Sequence, residues 1–222
     1  ILIHRIALLP LLEMLLWQSA TALLTLLCLV VAIFSSLRSR RLNRRLNYLS
    51  SHDALTGAFN RHHFDAFERR HILAGSRHIG AIMFDCDHFK LVNDSASHVA
   101  GDEMIRSVAG LVRDEFGEGA LIARTGGDEF AVLAPMDEST ASTRARRLLS
   151  AIEKLRVAWQ GQNLGTTASI GLATSQPPHP TFDELLSQTD SACFAAKELG
   201  GNRSFAAASN PDEIRQRTLA MH

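Results

Sequence analysis

Arg124-Thr-Gly-Gly-Asp-Glu-Phe130, continued by Ala131-Val-Leu133, decides how the rest of this 222-residue chain is read. Leu121-Ile-Ala123 before it and Phe130-Ala-Val-Leu133 after it are apolar runs of strand length, so the glycine pair between them predicts a tight hairpin. Glycine takes φ > 0 without steric penalty, and the expectation is that Gly126 and Gly127 turn the chain in that way. Asp128 and Glu129 then fall at the hairpin tip, where the missing side chains leave room for a bulky ligand. Carboxylates in an open, glycine-lined position suit a divalent cation and a polyphosphate. A solvated acidic turn is the other reading that these residues permit.

The chain is 46% apolar, and its 23 Lys+Arg balance 23 Asp+Glu. That is enough for one ordinary domain with chain to spare, and the neutral balance gives no sign of a nucleic-acid polymer as partner. Charge is nevertheless unevenly placed. No Asp, Glu, Lys or Arg occurs from Met14 to Leu37, and Ala22 to Phe34 is almost wholly apolar. This is about the length needed to cross a bilayer as a helix. Arg38, Arg40, Arg41, Arg44 and Arg45 follow, with no acid before Asp53. By the positive-inside rule this flank and everything after it face the cytoplasm. A cleaved signal peptide fits less well, because an A-x-A-like cleavage site is missing and arginines stand on the C-terminal side.

The expected organisation is therefore a transmembrane segment over 1–37, held in the inner (cytoplasmic) membrane through residues 14–37, and a basic helix or linker over 38–52. A folded α/β domain is expected over 53–206, and a tail over 207–222. Leu42, Leu46 and Leu49 share one helix face. They fit a helix resting on its own domain and a parallel coiled-coil pair equally well. Because the first residue is Ile1, the protein is expected to continue before it. Cys28, Cys86 and Cys193 show no C-x-x-C spacing, so neither a disulfide framework nor a zinc site is indicated.

Beyond Ser50-Ser-His-Asp53, which ends the first helix, and the turn Leu55-Thr-Gly57, helices and strands alternate. Helix is expected over Arg61–Leu73, Gly101–Phe116, Glu138–Trp159 and Phe182–Leu199. Strand is expected over Ile79–Asp85, the hairpin Leu121–Leu133, Thr166–Ala173 and Arg203–Phe205. Pro177 to Pro180 reads as a loop and the tail from Ala206 as disorder or loose helix. The order contains a βαββαβ core, one sheet with helices packed on it, an α/β (α+β) fold.

Asp85 ends a buried strand, and Asp87 lies on the same face if the strand persists. Asp85 with the hairpin acids suits two hard cations about 4 Å apart, as in two-metal phosphoryl transfer. Lys90 offers a point charge for phosphate oxygens. Asn93 and Asp102 bracket the next loop. An amide with a carboxylate can read guanine, although a turn explains Asn93-Asp94 and a helix-terminus acid explains Asp102 equally simply.

Six motifs occur in order: Asp53-Ala-Leu-Thr-Gly-Ala-Phe-Asn-Arg61, Asp85-x-Asp-His-Phe-Lys-x-x-Asn-Asp94, His98-x-x-Gly-Asp102, Arg124-x-Gly-Gly-Asp-Glu-Phe130, Ser169-Ile-Gly-x-Ala173 and Ala196-Lys197. Together they resemble the GGDEF family, the diguanylate cyclases, from Asp53 to about Phe205. The resemblance implies a palm-like nucleotide-cyclase fold that condenses two GTP into cyclic di-GMP and two pyrophosphates across a homodimer. It further implies that Asp85, the carbonyl of Cys86 and Asp128 hold Mg²⁺, or Mn²⁺ in its place, with Glu129 close by. Asp128 would activate the attacking 3′-hydroxyl. Asn93 and Asp102 would read guanine, and His98 would line the nucleotide site. Lys90 and Lys197 would grip the triphosphate, and the backbone N–H groups of His88 and Phe89 would cradle its terminal phosphates. His62 and His63 are expected at the surface.

Three departures from the family pattern stand out. Ser97 replaces a glycine in what reads as a loop, and Gly201 stands where an arginine usually follows the phosphate-binding lysine, with Arg203 two residues on. Gly117-Glu-Gly-Ala120 occupies the place of an Arg-x-x-Asp product-inhibition site. These departures keep open the alternative of a degenerate domain that binds GTP or a partner without turnover.

Overall fold

The computed structural model describes residues 2–67, 78–176 and 181–207. The chain divides into two units, Ile1–Leu49 and Ser50–His222. The first is carried by helix α1 (Leu2–Ser51), within which Leu23–Ser51 is long and apolar enough to cross a membrane. The described side chains from Leu23 to Leu49 are exposed.

The second unit is built on a six-stranded sheet in the order β1-β3-β4-β2-β7-β8. Its strands are β1 (Phe59–Asn60), β2 (Ile79–Asp87), β3 (Leu121–Arg124), β4 (Glu129–Ala134), β7 (Thr167–Ser175) and β8 (Arg203–Ala206). The central strands β3, β4, β2 and β7 pair antiparallel, while β1 joins β3 and β8 joins β7 in parallel. The expected βαββαβ core is β2, the helices at Phe89–Ser95 (α3) and His98–Phe116 (α4), β3, β4, the helix at Glu138–Lys154 (α5) and β7. Helices α4 (His98–Phe116) and α5 (Glu138–Lys154) cover one face of the sheet, where Ile105, Val108, Val112, Leu148 and Ile152 meet Ile82, Phe84 and Ile170. On the other face α2 (Arg61–Phe67) and α6 (Phe182–Glu198) bring Phe64, Phe182 and Leu185 against Ala81, Ala131 and Leu133.

Several elements depart from the sequence reading. Helix α5 ends at Lys154, and a small hairpin, β5 (Val157–Trp159) with β6 (Gln162–Leu164), follows it. The C-cap Leu155 is already extended (φ −61°, ψ 131°), which ends the helix short of the expected Trp159, and the hairpin turns at Gln160 and Gly161, both of positive φ. A short helix α3 (Phe89–Ser95) takes the place of the turn expected around Asn93-Asp94. Helix α4 begins at His98 because Ser97 caps it, its Oγ accepting from the backbone N–H of Ala100 at 3.2 Å; the serine is a cap and not a loop residue. Residues 68–73 of the helix expected from Arg61, the loop 177–180 and the tail beyond residue 207 lie outside the described residues.

Gly171 in β7 sets how closely α6 approaches the sheet. A Cβ there would run into the backbone carbonyl of Thr189 and the backbone nitrogen of Cys193 on α6. The helix therefore lies directly on the strand, and its last turn is carried toward the end of β2. Gly171→Ala is expected to destabilise the domain by about 1–3 kcal/mol, since a packed backbone cannot yield to an added methyl without displacement. Urea unfolding of the variant and the parent measures it, and equal midpoints would show that α6 stands off the strand.

Candidate functional site

Strand alternation builds the site. On β2 the side chains of Ile82, Phe84 and Cys86 enter the core under α4 and α5, so Asp85 must emerge on the opposite face. The β2–β4 register sets Phe84 opposite Phe130 and Asp85 opposite Glu129. The two phenylalanine rings stack in the core with centroids 5.1 Å apart and planes 8° from parallel. A slip of β2 by one residue would pull Phe84 out of the core and turn Asp85 into it. Asp128, one residue earlier, is held at the end of β2 by its carbonyl, which accepts from the N–H of Cys86 at 3.3 Å. Burial first, and then the negative charge of Asp85, push the Asp128 carboxyl above the ordinary carboxylate range. Burial likewise pushes the Cys86 thiol up. The thiol lies in the core, which leaves the backbone carbonyl as the donor Cys86 can offer a cation.

The glycines at the tip do something other than expected. Neither Gly126 nor Gly127 has positive φ. Instead, a Cβ on Gly126 would collide with the Glu129 carboxylate, while Gly127 faces open space. The turn is held by Arg124, whose Nε and Nη2 donate to the carbonyl of Gly127 at 3.1 and 2.6 Å. Its Nη1 donates to both Asp53 oxygens at 3.1 and 3.2 Å. Asp53 also accepts from the N–H and the hydroxyl of Thr56. Burial alone would raise the Asp53 pKa, but the bonds from Thr56 and Arg124 and the arginine charge outweigh it, so the carboxyl sits below its ordinary value. This link from Asp53 through Arg124 to the tip was present in the sequence only as the outer letters of two motifs.

Lys197, in the last turn of α6, places Nζ 3.0 Å from Asp85 Oδ2. Burial alone would lower the lysine pKa, but the hydrogen bond and charge of Asp85 raise it overall. Asp85 and Lys197 are shared by two cavities of about 320 Å³ each. One is completed by Asp87, His88, Gly200 and Gly201. The other is lined by Glu129 and Thr125 on the hairpin, Arg61 and Asp65 on α2, and Asp190 on α6, among others. His88 holds a left-handed φ of 57° at the start of α3, a conformation that non-glycine residues adopt mainly where function or packing demands it.

Asp87 does share the face of Asp85, but its oxygens are already engaged. They accept from the Thr167 hydroxyl at 2.7 Å, the Ser169 hydroxyl at 2.7 Å and the Asn202 N–H at 2.9 Å. It ties the turn after α6 to the sheet. The signal that sequence reasoning passed over is the pair of hydroxyl residues at alternate positions of β7. At Gly201 φ is +71° and a Cβ would press on the Asp87 carboxylate. Arg203 turns its Nε back onto the Gly201 carbonyl at 3.0 Å.

Five more of the singled-out residues lie on the α3–α4 pair. Gly101 gives room for the Asn93 amide and the Phe89 ring, both of which a Cβ would strike. Phe89 packs partly into the core. Lys90, His98 and Asp102 are exposed, and Asp102 lies beyond the first turn of α4, where the helix dipole has little hold. None of these five lines the two cavities at Asp85. His63 is more than a surface residue: its ring stacks on Phe59 at 4.3 Å, and burial with the charges of His52 and His62 lowers its pKa.

Among the described residues no three His, Cys, Asp or Glu side chains gather as a metal cluster. The groups that would hold a cation at the end of β2, the carboxylates of Asp85, Glu129 and Asp128 and the Cys86 carbonyl, offer oxygen donors. Burial, and then the charges of Asp85 and Glu129, raise the Asp128 pKa. Both features fit Mg²⁺, which takes one or two carboxylates and leaves its remaining positions to water and phosphate.

The family model for the diguanylate cyclase GGDEF domain matches residues 50–203. The chain belongs to the GGDEF family. It is 36% identical over 179 residues to the probable diguanylate cyclase DgcE of Escherichia coli K12, covering 78% of this chain and 16% of that protein. It is also 36% identical over 155 residues to the diguanylate cyclase VdcA of Vibrio cholerae, covering 68% of this chain and 45% of that one. The chain thus spans less than half the length of either relative. Among solved structures, the coiled coil and GGDEF domain of DgcB from Caulobacter crescentus, in complex with c-di-GMP, superposes with a TM-score of 0.74. There the identity is 27%, covering 81% of this chain and 97% of that one. The α+β palm-like fold is the fold of this family.

The depressed Asp53 pKa carries a pH signature. A carboxyl lowered on folding contributes stability above its unfolded value, about 3.9, and loses it as pH falls through the folded value. The stability gap between wild type and Asp53→Asn is therefore expected to be constant near neutrality and to close in acid below pH 4. Denaturant titrations across that range measure it. A gap independent of pH would show that Asp53 holds Arg124 without its charge.

Proposed function

We propose that the chain is a membrane-anchored diguanylate cyclase that joins two GTP molecules into cyclic di-GMP with release of two pyrophosphates. The observation that supports this most is the Asp85–Glu129 pairing, with Asp128 beside it and Lys197 across it, on a GGDEF domain whose family includes named cyclases. In this reading residues 53–206 form the catalytic domain. Residues 1–37 anchor it through 14–37 in the cytoplasmic membrane, 38–52 link the two on the cytoplasmic side, and 207–222 form a tail.

Asp85, Glu129, Asp128 and the Cys86 carbonyl would hold Mg²⁺ or Mn²⁺, which when bound lowers the pKa of the 3′-hydroxyl and offsets charge on the leaving pyrophosphate. Asp128 accepts the 3′-hydroxyl proton, a role suited to a carboxyl whose pKa lies above the ordinary range. Lys197 exchanges Asp85 for phosphate oxygens when nucleotide enters, and Lys90 adds a second cation. The N–H groups of His88 and Phe89 take the terminal phosphates. Asn93 and Asp102 pair with the guanine edge, and His98 borders the nucleotide. Each domain carries one GTP, so two domains must face each other before the 3′-hydroxyl of one nucleotide meets the α-phosphate of the other. This makes the homodimer the catalytic unit.

The alternative, a domain that binds GTP or a partner without turnover, draws on Gly201 and on the missing Arg-x-x-Asp site. Against it stands the full oxygen donor set.

Asp128→Ala is expected to lower cyclic di-GMP formation a hundredfold or more, about 3 kcal/mol of barrier, while the unfolding midpoint stays near wild type, since the half-buried side chain lies at the hairpin tip and outside the hydrophobic core. Product chromatography with matched denaturation curves checks both. Turnover within tenfold of wild type would remove Asp128 from the chemistry.

Asp102→Ala is expected to weaken the preference for GTP over ATP, because a site that pairs with a nucleobase edge rejects analogues through groups left unpaired. Competition binding of the two nucleotides decides it. An unchanged preference would leave Asp102 as a surface acid of α4.

A further inference from the structure

The segment of α1 that follows the apolar run shows a charge pattern that the proposed activity does not use. Arg38, Arg40, Arg41 and Arg45 are exposed, none makes an ion pair among the described residues, and no acid occurs between Met14 and Asp53. Leu42, Leu46 and Leu49 are more than half exposed on the same helix. At 3.6 residues per turn Arg38, Arg41 and Arg45 form a row that borders this leucine stripe, and Arg40 lies farther round.

Two consequences follow. The uncharged stretch from Met14 to Leu37 is about 36 Å long as a helix, slightly more than the roughly 30 Å hydrocarbon core. Arg38 to Arg45 then occupy the next 10 Å or so, the depth of the headgroups. If two copies pair along the leucine stripe, their axes lie about 8–10 Å apart. Their bordering arginines then come within about one screening length at physiological salt, with no acid between Met14 and Asp53 on either copy to offset them. An outside source of negative charge would therefore favour pairing.

We propose that Arg38, Arg40, Arg41 and Arg45 form a binding site for anionic phospholipid headgroups, and that bound anionic lipid permits the leucine stripes of two copies to pair. The occupant is a lipid because the arginines begin where the apolar run ends, and it is anionic because four unpaired guanidinium groups share that depth. This rests on the membrane anchor proposed above; the test separates the two.

The test uses the whole chain, carrying Cys28→Ser and Leu46→Cys, in nanodiscs of phosphatidylcholine with or without a minor share of phosphatidylglycerol. Electron spin resonance of spin-labelled lipids gives the selectivity for phosphatidylglycerol over phosphatidylcholine, and disulfide formation at position 46 reports pairing. The expected result is a several-fold selectivity that disappears in about 1 M salt, where the screening length is about 3 Å, and a cross-linking rate that rises several-fold with anionic lipid. Combined Arg38→Gln, Arg40→Gln, Arg41→Gln and Arg45→Gln should lose the selectivity and cross-link alike in both lipids. Equal association of the two lipids with the parent chain, or selectivity unmoved by salt, overturns the proposal. Flotation with neutral vesicles tests the anchor by itself. A chain that fails to float overturns the anchor and this proposal together, whereas one that floats without lipid selectivity overturns the proposal alone.

Discussion

The stack of Phe84 on Phe130 is the contact on which the site depends. Because side chains on paired strands alternate in step, burying these two rings together forces Asp85 and Glu129 onto the opposite face, directly across from each other. The core thereby stabilises an arrangement that is unfavourable in itself. Asp85 and Glu129 pair across β2 and β4 with Asp128 on the adjoining tip, and burial first, then the charges of Asp85 and Glu129, raise the Asp128 pKa. Hydrophobic packing holds the acids in place, and Lys197, 3.0 Å from Asp85, offsets part of their charge.

The groups around the acids are fixed by three separate ties. Asp53 and Arg124 hold the hairpin tip from the side of β1. Asp87 holds the turn after α6 through Thr167, Ser169 and Asn202. Gly171 lets α6 lie on β7 so closely that Lys197 reaches Asp85. Each tie uses residues that are separated in sequence and meet only in the folded sheet. The same sheet leaves Lys90, Asn93, His98 and Asp102 to the α3–α4 pair, so the acids and the residues assigned to the base stand on different elements joined through β2.

Much of this was legible in the chain. Apolar runs of strand length located β2, β3, β4 and β7, and the spacing of Met104, Ile105, Val108 and Val112 located α4, because both patterns record burial. What escaped were features set by backbone conformation or by long-range partners. The extended backbone of Leu155 ended α5 short of Trp159, and a hairpin turning at Gln160 and Gly161 follows. Gly126 serves as clearance for Glu129, although the turn chemistry of a glycine pair suggested a left-handed bend. Asp87 read only as an acid on the face of Asp85, since strand period fixes its face but says nothing of the hydroxyls across from it on β7. Ser97 read as a loop change because a cap is visible only when the first turn of its helix is known.

The central claim is that the acids at the end of β2 carry out cyclisation and do not only bind nucleotide. The most direct measurement incubates the wild-type chain with GTP and Mg²⁺ and follows nucleotide and pyrophosphate by chromatography. Formation of cyclic di-GMP with two pyrophosphates for each product, abolished when the cation is chelated, is the predicted result. GTP that stays bound and uncyclised at saturating Mg²⁺, with the chain folded and dimeric, would contradict the account.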